Sequence, residues 1–331
     1  MSGSVVPDVQ ATGPDLMRIY PALQTTRVIT GRLATTGLPL LGLPARSPNG
    51  RQVRDAVRAP DGWVVAKIDW SQIELRIAAH LSGDTTMIRC FQDGLDIHTL
   101  TAQRILDAAA SGAAPDDSAR QMAKGINFGY WMGLGPKGLT EHMHRHGFRE
   151  WSARCPGCRS HRDQHGPFCR SEQAFRDFEA QFPAARAYQE RKRQECRETG
   201  FVTGLWGERW FLPGIWSPHV RVREATARQA YAIPIQSGNA RLMKQAMTRI
   251  HQQGLSTRPG VEPILQVHDE LVYLVSRDLV DAWLPQVITV MEHVATLAVP
   301  IVAVGSYGPS WLDQHSFPRV RAGYVPRKTG S

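Results

Sequence analysis

Apolar and polar positions divide this chain into strand-like runs and amphipathic stretches. Residues 63–68 form a short apolar run that ends at Asp69. Ser71 follows as a cap candidate, and apolar residues then recur on one helical face from Ile73 to Leu81. The pattern therefore predicts a strand, a turn that holds Asp69, and a helix.

A second carboxylate is predicted at the tip of a hairpin. Residues 264–267 and 271–275 are strand-like runs separated by His268, Asp269 and Glu270. A single Asp at a strand end is most often a turn or cap residue. Two such acids side by side could seat two Mg²⁺ ions that share a triphosphate, because one or two carboxylates plus phosphate oxygens usually hold Mg²⁺.

A cationic helix face is predicted between these two segments. Asp117 and Ser118 are N-cap candidates, and a helix that begins there places Arg120, Lys124 and Phe128 at positions i, i+4 and i+8. Cations on a helix are usually a solvated surface. A cationic face with a large aromatic ring suits phosphates and a base or sugar.

Composition favours a globular protein with a polyanionic partner. The hydrophobic fraction is 42%, and 39 Lys and Arg against 30 Asp and Glu give a net charge of +9. The first residues lack the pattern of an export signal, so a cytosolic protein is expected. The apolar window 287–304 is interrupted by Glu292, His293 and Pro300, which favours a helix and then a core strand over a membrane span.

Several long motifs occur in a fixed order along the chain. They are DWSQIELRIAAHLSGD from Asp69, RQMAKGINFG from Arg120, QVHDELV from Gln266, TGRL from Thr30, DIHT from Asp96 and IQSGNARLMK from Ile235. In order and spacing these motifs resemble family A, polymerase I type DNA polymerases. The resemblance runs from about residue 25 to residue 312.

The resemblance implies an α+β fold: a right-hand palm, which is an antiparallel sheet with helices, plus helical fingers. The implied divisions are an arm at 1–24, palm at 25–80 and 229–316, fingers at 81–228 with a Cys/His insert at about 149–170, and a basic tail at 317–331. Only 31 residues precede Arg32, so a thumb and an exonuclease domain are expected to be lacking. Such a chain would be a natural minimal polymerase, one half of a split polymerase or a fragment of a longer one, and a partner protein could supply either missing part.

The implied activity is template-directed addition of deoxynucleotides to a primer on template DNA. Asp69 and Asp269 would bind two Mg²⁺ ions together with the backbone carbonyl of Trp70. Glu270 would lie beside them as a further catalytic carboxylate, and Lys124 would act in catalysis as well as in nucleotide binding.

The family resemblance also assigns residues to the incoming nucleotide. Arg120, Lys124 and His98 would hold the triphosphate, and Phe128 would pack on the base and sugar. Glu74 would fill the space of a ribose 2′-hydroxyl, and Gln72 beside it is expected to contact the nucleotide.

Arg32, Gln236, His268 and Met132 are the expected DNA contacts. The chain departs from the family at one of these positions and in a separate stretch downstream of TGRL. Met132 precedes a glycine where the family has Tyr-Gly, and residues 39–42 are apolar where the family has polar residues that read the minor groove.

A cysteine-rich insert predicts a second metal site. Cys155, Cys158, His165 and Cys169 have a spacing typical of a zinc knuckle, with His161 as the rival fourth ligand. Disulfides are disfavoured in the cytosol, and unconnected surface thiols are the alternative. The sequence therefore predicts a structural Zn²⁺.

Two functions of different classes follow. One is an active DNA polymerase. The other is a DNA-binding or scaffolding subunit with a polymerase fold and little activity alone.

Overall fold

A computed structural model describes most of the chain, in two compact units. The described residues are 8–11, 17–20, 22–25, 27–36, 41, 47–105, 116–149, 151 and 168–318. The first unit comprises the described residues within Met1–Ile73, Gln236–Thr296 and Ile301–Ser331. The second unit comprises those within Glu74–Ile235 and Leu297–Pro300.

The N-terminal half of the chain contains both strands and helices. They are β1 Asp8–Ala11, β2 Met17–Tyr20, β3 Ala22–Gln24, β4 Ala34–Thr36, α1 Pro48–Ala56, β5 Trp63–Trp70, α2 Ile73–Ser82, α3 Thr85–Gln92, α4 Ile97–Ile105, α5 Asp117–Trp131 and α6 Pro136–Arg145. The remaining elements are α7 Cys169–Gln181, α8 Pro183–Thr199, β6 Phe201–Thr203, β7 Arg209–Phe211, α9 Val220–Gln252, β8 Val261–Val267, β9 Glu270–Ser276, α10 Val280–Glu292, β10 Ala303–Gly308 and β11 His315–Ser316.

The first unit is built on a five-stranded antiparallel sheet. The strand order is β11-β10-β5-β9-β8, so β5 lies at the centre and pairs with β9 and β10. The predicted α+β class, an antiparallel sheet with helices, is confirmed. The central position of β5 fixes the residues at its end relative to both neighbouring strands.

Both faces of the sheet are covered. On one face, Val65 and Val272 pack with the buried indole of Trp311. On the other face, α10 packs against β5 and β10, and the Trp70 indole nitrogen donates to the backbone oxygen of Met291 at 3.2 Å. Because side chains alternate along a strand, Lys67 and Asp69 share the face of Val65.

The second unit is mostly helical around an aromatic core. Helix α5 packs against α4, α6 and α7. Trp131, Phe178 and Tyr188 are fully buried there, and the Trp131 and Tyr188 rings lie 5.9 Å apart between centroids. Large buried rings supply much of the apolar area that holds such a unit together.

The observed elements differ from the sequence predictions in their bounds. Strand β5 continues through Trp70, so Asp69 lies within the strand and not in a turn. The core strand expected at the end of the apolar window 287–304 is β10, which begins only at Ala303. The N-cap of α5 is Asp116, because its carboxylate accepts from the backbone nitrogen of Ala119 at 2.7 Å. Asp117 is already the first helical residue.

The proline at 234 predicts an interruption of the helical pattern at 220–253, and this prediction is wrong. The helix continues from Val220 to Gln252 with Pro234 inside it. A proline inside a helix removes one backbone hydrogen bond. Burial of its neighbours Ile233 and Ile235 offsets that cost.

Candidate functional site

Three carboxylates occur where β5 and β9 meet in the first unit. Asp69 is the next-to-last residue of β5 and is paired in register with Glu270, the first residue of β9. Asp269 occupies the two-residue turn between β8 and β9, and its backbone oxygen accepts from the Trp70 nitrogen at 3.3 Å. The predicted hairpin is confirmed, with a tighter turn, and it places Asp269 beside the end of β5.

The backbone near both aspartates takes a rare conformation. Among the described residues, Gln72 and His268 are the two non-glycine residues with positive φ, each at 56°. Gln72 follows the end of β5, and His268 directly precedes Asp269. The Gln266 side-chain amide donates to the His268 oxygen at 2.6 Å and supports the turn. Such strained positions cluster at functional sites, where surrounding structure holds them.

Glu270 differs from the two aspartates in its contacts. Its Oε1 accepts from the Trp311 indole nitrogen at 2.6 Å, and its Oε2 lies 3.9 Å from Lys67 Nζ. Both carboxylate oxygens are therefore engaged by the protein. A catalytic role of Glu270 stays a prediction.

The carboxylates fit magnesium when a substrate supplies further oxygens. Within the part of the chain that the structure describes, no group of three or more His, Cys, Asp and Glu side chains is arranged to hold a metal ion. Mg²⁺ needs only one or two protein carboxylates when phosphates and waters complete its octahedron. Asp69 and Asp269 are half-buried and provide two such hard oxygen donors.

Two of the predicted DNA contacts line one cavity of the first unit. Its volume is about 190 Å³, and its walls include Arg32 and His268 together with Lys244 and the buried Gln266. Gln236 lies one helical turn before the wall residue Ala240 on α9. The cavity offers hydrogen-bond donors from several side chains, which suits acceptor atoms of a nucleic acid.

The second unit presents the predicted cationic face on α5. Lys124 is exposed, and its Nζ lies 5.8 Å from the centroid of the Phe128 ring. Arg120 donates through Nε to Asp96 Oδ2 at 2.5 Å. The three residues thus share one helix face, as the spacing predicted. Glu74 lies in the first turn of α2.

His98 joins this face from α4. Its ring centroid lies 5.8 Å from that of Phe128. Burial, with smaller contributions from the charges of Arg120 and Lys124, lowers the pKa of His98 to about 4, although the charge of Asp96 opposes this shift. The imidazole is therefore neutral near pH 7.

The hydrogen bonds of His98 define its tautomer. The Asn127 amide nitrogen can only donate, and it lies 2.8 Å from His98 Nδ1. The neutral ring therefore carries its proton on Nε2, where it can serve as a donor. Asn127 is itself fixed by the Thr101 hydroxyl, which donates to its Oδ1 at 2.9 Å.

Sequence reasoning missed the residues that orient the predicted ones. Asp96 accepts from the His98 backbone nitrogen and from the Thr99 hydroxyl as well as from Arg120. Asp96 directly precedes the first residue of α4, and this position of an aspartate before a helix could have indicated it as an N-cap candidate. Asn127 could have been suspected as a polar residue on the buried side of an amphipathic helix.

The aromatic residues before Met132 are buried. The Tyr130 ring stacks on Phe178 with centroids 4.4 Å apart, and its hydroxyl donates to Glu179. Trp131 is wholly inaccessible. Because both rings are buried, neither Tyr130 nor Trp131 can take the place of the tyrosine that the family resemblance implies at position 132. A DNA contact by Met132 stays a prediction.

The zinc prediction falls mainly on residues outside the described part. Cys155, Cys158, His165 and the rival ligand His161 are not among the described residues. Cys169 is buried at the first position of α7. The knuckle stays a prediction.

No described helix is long and apolar enough to cross a membrane. The interrupted window at 287–304 contains the end of α10 and the start of β10. The predicted succession of a helix and a core strand is confirmed there.

Comparison with known proteins gives a consistent result. Residues 7–313 match the model of DNA polymerase family A. The thermostable DNA polymerase I of Thermus aquaticus is 34% identical over 305 residues, which are 91% of this chain and 34% of that protein. DNA polymerase I of Pseudomonas aeruginosa is 34% identical over 307 residues, or 91% of this chain and 31% of that protein. The chain thus spans about a third of the length of the curated relatives it matches.

A solved structure shows the same fold. It is the POL domain of Pol1 from M. smegmatis in complex with DNA primer-template and dNTP. The TM-score is 0.75 at 29% identity, and the match covers 89% of this chain and 48% of that one.

Proposed function

The chain belongs to DNA polymerase family A, and on that premise we propose that it is a template-directed DNA polymerase. It would add deoxynucleotides to the 3′ end of a primer. The observation that carries the proposal is the sheet register that gathers Asp69, Asp269 and Glu270 at one end of the β5–β9 pair. Carboxylates so close repel one another unless a cation lies with them.

The reaction is a phosphoryl transfer. The primer 3′ hydroxyl loses its proton to water, its oxygen forms a bond to the α-phosphorus of the nucleotide, and the bond from that phosphorus to the leaving pyrophosphate breaks. Asp69 and Asp269, with the Trp70 carbonyl, would hold two Mg²⁺ ions, which supply charge neutralisation at the attacking and leaving oxygens. The positive φ of His268 keeps Asp269 at the end of the hairpin for this task.

Residues of the second unit would hold the nucleotide. Arg120 and Lys124 would provide cations for the triphosphate, and neutral His98 would donate from Nε2. Phe128 would pack on the base and sugar. Asp96 limits the freedom of Arg120 before substrate arrives, because it anchors one edge of the guanidinium group.

Substrate choice would depend on α2 and on the turn before it. Glu74 would occupy the space of a ribose 2′-hydroxyl, with Gln72 close to it in sequence. For the DNA, Arg32 and His268 share a cavity whose donors suit the acceptors of the duplex minor groove. Gln236 would add a contact to the primer end.

Primer extension by the purified chain tests this proposal. The assay contains a labelled primer-template, Mg²⁺ and the four deoxynucleotides, with Asp269→Asn as the inactive control. Extension that requires Mg²⁺ and is lost in the control is expected. Tight primer-template binding without extension would favour the scaffolding function, and extension restored only by a second protein would show that catalysis depends on a partner.

A further inference from the structure

An aromatic-rich segment of the second unit has no part in the proposed reaction. It runs from β6 through β7 to the 3₁₀ turn Pro213–Trp216 and carries three of the nine tryptophans of the chain. Side chains alternate along β7, so Trp210 packs on the core of the unit while Arg209 and Phe211 face solvent. The ring of Phe211 is 63% exposed and that of Trp216 is 55% exposed.

The exposed indole of Trp216 is held in a fixed position. Its Nε1 donates to the backbone oxygen of Arg197 at 3.0 Å. The ring packs directly on Gly200, where an added Cβ would collide with it. Gly200 also has a φ of 76°, so a glycine is favoured there on two grounds. The polar atom of Trp216 is satisfied, and its apolar ring is nevertheless presented to solvent.

The two exposed rings form one surface, which we call the aromatic platform. The centroids of Phe211 and Trp216 lie 6.5 Å apart, and the ring planes meet at 65°. Fixed aromatic rings lose little conformational entropy when a ligand binds them. The platform is therefore ready for a flat or apolar ligand.

Three arginines lie close to the aromatic platform along the chain, at 209, 221 and 223, and the acids of the same stretch, residues 205–224, are Glu208 and Glu224. Arg223 donates to the backbone oxygens of Ser217 and Pro218. Glu208 accepts from the Trp206 backbone nitrogen at 3.0 Å and stabilises the hairpin loop. Arg209 lies over the Phe201 ring at 4.7 Å, and Arg221 and His219 are exposed.

We propose that the aromatic platform binds single-stranded DNA. Unpaired bases would stack on Trp216 and Phe211, and Arg209 and Arg221 would neutralise the neighbouring phosphates. Rings flanked by cations are how proteins bind single strands without reading their sequence, because every base has a stacking face. An apolar protein partner would instead bury these cations. In the polymerase proposed above, on which this inference rests, the ligand is template that has not yet been paired.

The test measures binding of a labelled oligothymidylate of about 12 nucleotides to the full chain, without nucleotides or Mg²⁺. Trp216→Leu and Phe211→Leu keep an apolar side chain but remove the stacking ring. Each should weaken binding about fivefold or more, because stacking on one ring is worth about 1–3 kcal/mol per base. Trp216→Phe should keep most of the affinity. Phe211 is mostly exposed, so its replacement leaves the fold intact.

Two controls make the outcome decisive. Val53→Ala alters another exposed apolar residue and should bind the oligonucleotide as the wild type does. Binding of a blunt duplex should not change in the leucine variants. Wild-type affinity of both leucine variants for the single strand would overturn the proposal and leave a protein partner as the occupant. Equal weakening by Trp216→Phe and Trp216→Leu would also overturn it.

Failure of the proposed function is separable from failure of this inference. The binding assay involves no turnover, so a chain that does not extend primers can still show ring-dependent binding. Conversely, normal extension together with unchanged binding by the leucine variants would reject only the aromatic platform.

Discussion

The carboxylates of the first unit and the cations of the second are positioned by different means. Asp69 is placed by the register of the central strand, and Asp269 by a two-residue turn with a positive φ before it. Arg120 is placed by the hydrogen bond that it donates to Asp96, and His98 is placed by the hydrogen bond that it accepts from Asn127. Backbone positioning resists single substitutions nearby, whereas side-chain positioning fails when one partner is removed. In the first unit we therefore expect large losses of activity only when the aspartates themselves are replaced. In the second unit we also expect losses when an orienting partner is replaced.

The largest effect is expected at the aspartates themselves. Asp69→Ala and Asp269→Ala should each lower the rate of extension by about a thousandfold or more, because metal-bound charge stabilisation is worth several kcal/mol. The register of β5 and β9 does not depend on these side chains. Circular dichroism should therefore show a folded protein, and near wild-type extension by either variant would remove the residue from the metal site.

Removal of Asn127 should have the next largest effect. In Asn127→Ala, His98 loses the bond that fixes its tautomer, and the apparent affinity for deoxynucleotides should fall by about tenfold. Thr101→Val is the matched control, because it removes the bond to Asn127 but leaves the bond to His98. Steady-state kinetics of both variants, with urea unfolding in parallel, separates the outcomes. Equal losses of nucleotide affinity would mean that His98 is not oriented in this way.

Sugar discrimination should depend on the bulk of Glu74. Glu74→Ala should raise the use of ribonucleotides relative to deoxynucleotides by about tenfold. The reason is that removing a few atoms from the wall of a pocket typically changes the discrimination between two similar substrates by about that factor. Glu74→Gln fills the same space and should discriminate as the wild type does. The ratio of kcat/KM for the two sugars is the measurement. An unchanged ratio in Glu74→Ala would place the sugar gate elsewhere.

The smallest effect is expected at Glu270. Glu270→Gln keeps an oxygen for the Trp311 indole and loses only the half-buried pairing with Lys67 at 3.9 Å, so extension should fall by less than about tenfold. Glu270→Leu leaves the indole nitrogen without its acceptor and should destabilise the fold by about 1–3 kcal/mol. Extension rates and urea unfolding check the pair. A loss in Glu270→Gln as large as that in Asp269→Ala would make Glu270 a metal ligand.

The sequence predicted the fold class and the elements that carry the acids and cations. The alternation around Asp69 and the i, i+4, i+8 spacing on α5 are local patterns, and local patterns determine which residues share a face. The two-residue turn at His268 was less predictable, because histidine seldom takes a positive φ and the strain is imposed by the surrounding sheet.

The orienting contacts could not be predicted from the sequence for a different reason. Asp96 and Arg120 are 24 residues apart, and His98 and Asn127 are 29 apart. Their pairing depends on how α4 packs against α5. The continuation of α9 past Pro234 is likewise decided by tertiary burial, which overrides the local propensity of proline.

Single-turnover incorporation of one nucleotide, measured across deoxynucleotide concentrations, is the most direct test. It separates the chemical step, which we assign to the aspartates, from nucleotide binding, which we assign to Arg120. Asp269→Asn should lower the maximal rate by about a thousandfold and change the apparent Kd for the nucleotide by less than about threefold. Arg120→Ala should raise that Kd by about tenfold or more, because a charge-assisted contact to phosphate is lost. A wild-type maximal rate in Asp269→Asn, or an unchanged Kd in Arg120→Ala, would contradict the account.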